Sequence, residues 1–122
     1  MEDQLTRKVI GAALEVHKEL GPGLLESVYR NCLVYELKAL QLRVDVEVIL
    51  PVYYKGSKLE SYFRMDLVVE DKLILELKTV EKILSVHKAQ ILSYLKMSNK
   101  PQGLLINFNV PMLKQGIKRF VN

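Results

Sequence analysis

Cysteine occurs once in this chain of 122 residues, at Cys32, and no Cys and His residues stand at the spacing of zinc ligands. An intrachain disulfide is therefore excluded, and Cys32 reads as a small core residue. Long apolar runs are missing as well, and no basic stretch leads into one. Neither a membrane-spanning helix nor a signal peptide is expected, and the default is a soluble cytoplasmic protein. There is no low-complexity tail and no arginine-rich arm; the basic residues are spread out, with a mild concentration at Lys114, Lys118 and Arg119. Eighteen Lys plus Arg against fourteen Asp plus Glu leave a net charge of +4. That excess permits a polyanionic partner without requiring one. With 49% hydrophobic and 26% charged residues, the composition is that of one globular domain over residues 1–122.

Two helical patterns come first. Leu5, Val9, Ala12, Ala13, Val16 and Leu20 recur at three- and four-residue steps until Gly21-Pro22-Gly23 interrupts them. A second set, Leu25, Val28, Cys32, Leu33, Leu37 and Leu40, predicts a helix over about Leu24 to Leu40. His17 falls in the last turn of the first, where the helix dipole and free carbonyls favour an imidazole. Glu26 falls in the first turn of the second, where a negative side chain is stabilised, and it shares a face with Tyr29 and Arg30.

Strand patterns follow. Val44, Val46, Val48, Leu50 and Val52 alternate with Arg43, Asp45 and Glu47, and Pro51 marks an edge or a bulge. Tyr53 to Lys58 supply a turn. Tyr62–Val69 and Lys72–Lys78 are apolar runs separated by Glu70-Asp71, the pattern of an antiparallel hairpin. Strict alternation puts Phe63, Met65, Leu67 and Val69 on one face and Tyr62, Arg64, Asp66 and Val68 on the other. It also joins Asp66 to Glu76 and Lys78 on one half-buried surface. Val86 to Lys96 reads as a helix with a polar stripe of His87, Gln90 and Tyr94, and Gly103–Phe108 as a buried strand reached by a helical crossover. Pro111 to Val121 is expected to close the chain as a short helix. The predicted order is α-α-β-β-β-α-β-α: an α/β fold with a mixed sheet, in which a three-stranded antiparallel meander is joined by a parallel strand after a right-handed crossover.

The acid pair has two readings. Two carboxylates about 4 Å apart repel by roughly 4 kcal/mol at an effective dielectric near 20, so a cluster of Asp66 and Glu76 with only Lys78 beside it calls for a cation or a proton. Close-set oxygen ligands with room for water are what Mg²⁺ accepts. Alternatively, Glu76 and Lys78 lie on a solvated face and Asp66 pairs with Arg64.

An acid on one hairpin strand and (D/E)-x-K on the next resembles the core of the PD-(D/E)XK nuclease superfamily, the restriction-endonuclease-like fold, with Asp66 and Glu76-Leu77-Lys78 as the matching residues. More narrowly, Gly23-Leu24-Leu25-Glu26-Ser27-Val28-Tyr29 resembles the motif of its GxxExxY family, and further likeness runs in order over nearly the whole chain. The resemblance implies that Asp66, Glu76, the Leu77 carbonyl and Glu26 hold Mg²⁺, with Mn²⁺ as a substitute. It implies that Lys78 orients or deprotonates the attacking water, and that Gln90 is the polar residue of the helix after the motif. Met65 stands where the proline that names the superfamily would be, a departure that leaves the acids in place. Glu26, Asp66, Glu76 and Lys78 sum to −2, which one divalent cation neutralises. Arg64, His87, Tyr94 and His17 are weaker candidates for substrate contact. The implied function is a metal-dependent nuclease on nucleic acid, DNA first, with no membrane role and with a homodimer as one way for a small domain to grip a duplex. The other class is a nuclease-fold module that binds nucleic acid or protein and has lost turnover.

Overall fold

The computed structural model describes residues 3–122, in which three α-helices and five strands form. They are α1 (Gln4–Leu20), α2 (Glu26–Ala39), β1 (Val44–Tyr54), β2 (Ser57–Val69), β3 (Leu73–Lys78), α3 (Ser85–Ser98) and β4 (Gln102–Asn107). A 3-10 turn at Leu113–Gly116 then leads into β5 (Ile117–Val121). The strands lie in chain order across one sheet, with β3 and β4 parallel and the other neighbours antiparallel. This is the mixed α/β architecture expected from the sequence, including the meander and the parallel strand after α3. No helix among the described residues is long and apolar enough to cross a membrane.

Each face of the sheet carries its own core. Val9, Ala13 and Val16 of α1 and Tyr29, Leu33 and Leu37 of α2 pack on Leu67, Val69, Leu73, Leu75, Leu77, Leu104 and Ile106. Tyr94 and Leu95 of α3 pack on Leu50, Met65, Val68 and Ile74. Burial of these side chains is the main force holding helices to sheet.

Beside the register shift between Pro51 and Tyr53, strict alternation fails opposite Asp66, and that failure matters. Met65 lies in the α3 cluster with Val68, not with Leu67 and Val69, and the Phe63 ring meets Tyr94 of α3 at 5.5 Å. In β1 likewise, Val44 packs on the first core whereas Val48 and Leu50 pack on the second. Both strands thus exchange faces between Val46 and Val48 and between Met65 and Leu67. The cause sits at Glu47, whose φ of +51° takes it out of the extended conformation and reverses the alternation beyond it.

The turns explain the element boundaries. Gly21 (φ +70°) donates its N–H to His17 O at 2.8 Å and ends α1, and Gly23 (φ +97°) is again left-handed, the backbone region that suits glycine. Tyr29 locks this connector. Its hydroxyl donates to Gly21 O at 2.5 Å and accepts from Leu24 N–H at 3.2 Å, while its ring stacks on Phe108 at 4.5 Å. Gly23, Glu26 and Tyr29 are therefore one structural unit, in which the tyrosine fixes where α2 begins and so where Glu26 stands. Tyr29→Phe keeps the stacked ring and removes both hydrogen bonds. It is expected to lower stability by about 1–2 kcal/mol in urea unfolding, with an unchanged denaturant slope.

The β2–β3 connection is the expected tight turn: Lys72 N–H donates to Val69 O at 3.0 Å, and Glu70 and Asp71 both have positive φ, the signature of a hairpin turn matched to strand twist. The end of the chain differs from expectation. Pro111 to Val121 does not make a closing helix; one 3-10 turn is followed by a strand paired with β4 from Ile106↔Ile117 to Gln102↔Val121. The buried β4 would otherwise leave an edge of unpaired N–H and C=O groups, which pairing with Ile117–Val121 satisfies. Gly116 itself packs so closely that an added Cβ would collide with the carbonyl oxygen of Asn107.

Candidate active site

Asp66 stands where β2 gives up regular pairing on both sides. Toward β3 the registered pairs are Val69↔Leu73, Val68↔Ile74 and Leu67↔Leu75, and one further step sets Asp66 opposite Glu76. There the side chains make the bonds. Asp66 N–H donates to Glu76 Oε1 at 3.2 Å, and Leu77 N–H donates to Asp66 Oδ2 at 2.8 Å. Toward β1 the residue facing Asp66, between Val46↔Leu67 and Val48↔Met65, is the left-handed Glu47. Such a conformation costs a non-glycine residue about 1–3 kcal/mol and concentrates at functional sites. The irregularity brings two acids from adjacent strands together and leaves Asp66 Oδ1 and Glu76 Oε2 outside these two bonds.

The electrostatics of the pair follow from burial. Glu76 is only 3% exposed. Desolvation, followed by the charge of Asp66, pushes its carboxyl up to about 8. Asp66 is raised too, chiefly by burial, against the Leu77 N–H and the Lys78 ammonium, which favour its charged form. Burial raises both carboxyls, and the charge of Asp66 adds to the rise of the more deeply buried Glu76. Glu26, in the first turn of α2, is raised by its burial and then by the charge of Asp66, with Lys78 and Arg30 opposing.

On the other flank, Lys78 Nζ donates to Gln90 Oε1 of α3 at 3.3 Å. Tyr94, one turn on, hydrogen-bonds Gln90. Burial and then the charges of Glu76 and Asp66 raise its hydroxyl. Four elements thus converge: α2 with Glu26, β2 with Asp66, β3 with Glu76 and Lys78, and α3 with Gln90 and Tyr94. The Leu77 side chain is fully buried in the first core, so only its backbone can face the acids.

Three weaker candidates find other partners. Arg64 is ion-paired with Glu47 at 3.2 Å, not with Asp66, and Arg30 holds the same carboxylate at 3.7 Å. His87 Nδ1 accepts the Leu84 N–H at 2.9 Å and caps α3. His17 Nε2 bonds Val110 O at 2.8 Å and ties α1 to the loop after β4. Two residues beside the acids had no assigned part in the sequence reading. Arg30 carries a signal, being one turn from Glu26 on the same face. Glu47 carries none, because nothing in its neighbours announces a positive φ.

The donor set suits a hard divalent cation, since both acids are held close by bonds to backbone N–H groups and burial raises both of them when no cation balances their charge. Among the described residues, however, no three His, Cys, Asp or Glu side chains gather as a group able to hold a metal ion. Asp66 and Glu76 form the close pair, and Glu26 is near enough to feel the charge of Asp66 and Lys78. A cavity of about 410 Å³ between α1 and α2, lined by Val16, Cys32 and Tyr35 among others, contains none of these groups.

No curated protein and no solved structure matches the chain. The family model of the PD-(D/E)XK nuclease superfamily matches it over residues 3–120. That span takes in every element that positions Glu26, Asp66, Glu76, Lys78 and Gln90, and the chain belongs to the PD-(D/E)XK nuclease superfamily.

Proposed function

We propose that this protein is a Mg²⁺-dependent nuclease that hydrolyses phosphodiester bonds in DNA, within the GxxExxY branch of its superfamily. The observation that carries the reading is the break in the sheet at Asp66, where two raised carboxyls face each other next to the Lys78 ammonium. Asp66 and Glu76 are the residues that would hold the cation, with the Leu77 carbonyl and water filling the shell. Mg²⁺ bound through one or two carboxylates keeps several waters. A divalent cation so held supplies Lewis-acid charge and a more acidic water.

The chain's own groups do the rest. Lys78, steadied by Gln90, is placed to hydrogen-bond a phosphate oxygen and to offset the charge that builds on phosphorus. Glu26 accepts a hydrogen bond from the attacking water and orients it. The water oxygen bonds to phosphorus as the bond to the leaving sugar oxygen breaks; Glu26 takes the proton that the attacking water loses, and the leaving oxygen takes one from solvent water.

Incubation with single- and double-stranded DNA and RNA in Mg²⁺ or Mn²⁺ tests the proposal. Cleavage is expected, abolished by chelation and by Asp66→Asn; no cleavage of any substrate by the wild type would contradict it. Glu26→Gln removes a charge without removing volume. It is expected to lower the single-turnover rate by about 10- to 100-fold, as loss of an outer-shell partner does, with an unchanged circular dichroism spectrum.

A further inference from the structure

A pocket of about 240 Å³ opens between β2 and α3, lined by Phe63, Val86, Ala89, Gln90, Ser93 and Tyr94. We infer that it takes an unpaired nucleobase of the strand being cut, which makes single-stranded or frayed nucleic acid the substrate class; this rests on the nuclease reading above. Three observations support that occupant.

The first is shape and chemistry. Phe63 is 36% exposed and tilted at 46° to the buried Tyr94 ring, so an aromatic surface is open to a planar guest. Gln90 and Ser93 add polar groups at the wall. The volume is below that of sites for drug-sized ligands and suits a single ring system. Base–aromatic stacking tolerates any sequence, because every base has a π-face.

Continuity is the second. Gln90 both lines the pocket and holds Lys78, and Phe63 precedes Asp66 by three residues, about 10 Å along a strand. A base seated there belongs to a nucleotide next to the phosphate at the acid pair. Within an intact duplex that base would have to leave its stack first.

The third is charge. Lys82 and Lys88 are exposed around the start of α3, with Glu81 as the acid among them, whereas Arg64, next to Phe63 in the chain, is paired with Glu47. Cations flanking an aromatic pocket are what a phosphate-linked strand needs.

Binding measured with Ca²⁺ in place of Mg²⁺ tests the inference apart from cleavage. The probes are a fluorescein-labelled single-stranded DNA oligonucleotide and its duplex, read by anisotropy. The wild type is expected to prefer the single strand. Phe63→Ala, which removes the stacking face, is expected to weaken single-strand binding by about 5- to 100-fold. Val86→Phe, at a position 65% exposed and therefore safe for folding, is expected to fill the pocket and do the same. Duplex binding should change little in either variant. Equal affinity for both probes, or single-strand binding unmoved by both variants, would overturn the inference. So would a wild-type dimer that Val86→Phe dissociates, since a second copy would then cover the pocket. Absence of cleavage with Phe63-dependent binding would sink the nuclease reading and keep the pocket; cleavage indifferent to Phe63 would do the reverse.

Discussion

Lys78→Met is expected to reduce metal-dependent cleavage by about 10³-fold, the scale lost when one preorganised donor to a developing oxyanion is removed. Methionine keeps the length and the apolar stem and loses the ammonium, so the Gln90 contact disappears with the charge. The loss should fall on the single-turnover rate and not on metal binding. Lys78 favours the charged forms of Glu26, Asp66 and Glu76, and its removal raises all three further. Those acids then need a cation more, and Mn²⁺ titrated into Lys78→Met at pH 8 should bind at least as tightly as into wild type. Rapid-quench kinetics and calorimetry on the same preparation separate the two effects. Cleavage equal to wild type would remove Lys78 from the mechanism.

Raising the pH from 5 to 9 without metal is expected to destabilise the protein by about 2–4 kcal/mol, at up to about 1.4 kcal/mol per pH unit. The sign comes from Glu76. Its carboxyl titrates at about 8 when folded and at 4.5 as the unperturbed group, so between those values the native state binds the proton that the unfolded state has lost. That contribution is complete below 4.5 and disappears as the pH passes through 8. Asp66 and Glu26 are shifted the same way and add to it. Saturating Mg²⁺ should reverse the trend, because it replaces the proton as the balancing charge and binds more tightly as pH rises. Glu76→Gln, which cannot ionise, should flatten the metal-free profile. Urea unfolding at fixed ionic strength, with chelator and with Mg²⁺, gives all four curves. Stability that is constant or rising from pH 5 to 8 in the wild type would contradict the raised carboxyls of the buried pair.

Much of this site is legible in the sequence, and the reason is local. Glu70-Asp71 between two apolar runs specifies the hairpin, and counting pairs outward from Val69↔Leu73 sets Asp66 opposite Glu76. The stripe on α3 places Gln90 over Lys78 because one helical face meets one sheet face. The illegible parts depend on tertiary context. The exchange of faces at Glu47 and Asp66 breaks the alternation that put Phe63 and Met65 with Leu67, and glutamate gives no warning of a left-handed backbone. Pro111 to Val121 read as a short closing helix, yet the open edge of β4 claims Ile117 to Val121 as a strand. His17 and His87 draw attention as titratable residues, and each turns out to satisfy a backbone group. Glu26 is legible as an acid near the site. That it stands outside the carboxylate pair follows only from where Tyr29 anchors the start of α2.

The central claim is that Asp66 and Glu76, joined across the gap in the β2–β3 ladder, hold one divalent cation beside Lys78. Anomalous diffraction from crystals soaked in Mn²⁺ at pH 8 tests it most directly. A single peak bonded to Asp66 and Glu76, and absent from Asp66→Asn, is the predicted result. Crystals in which Mn²⁺ binds elsewhere, with no peak at Asp66 and Glu76, would contradict it.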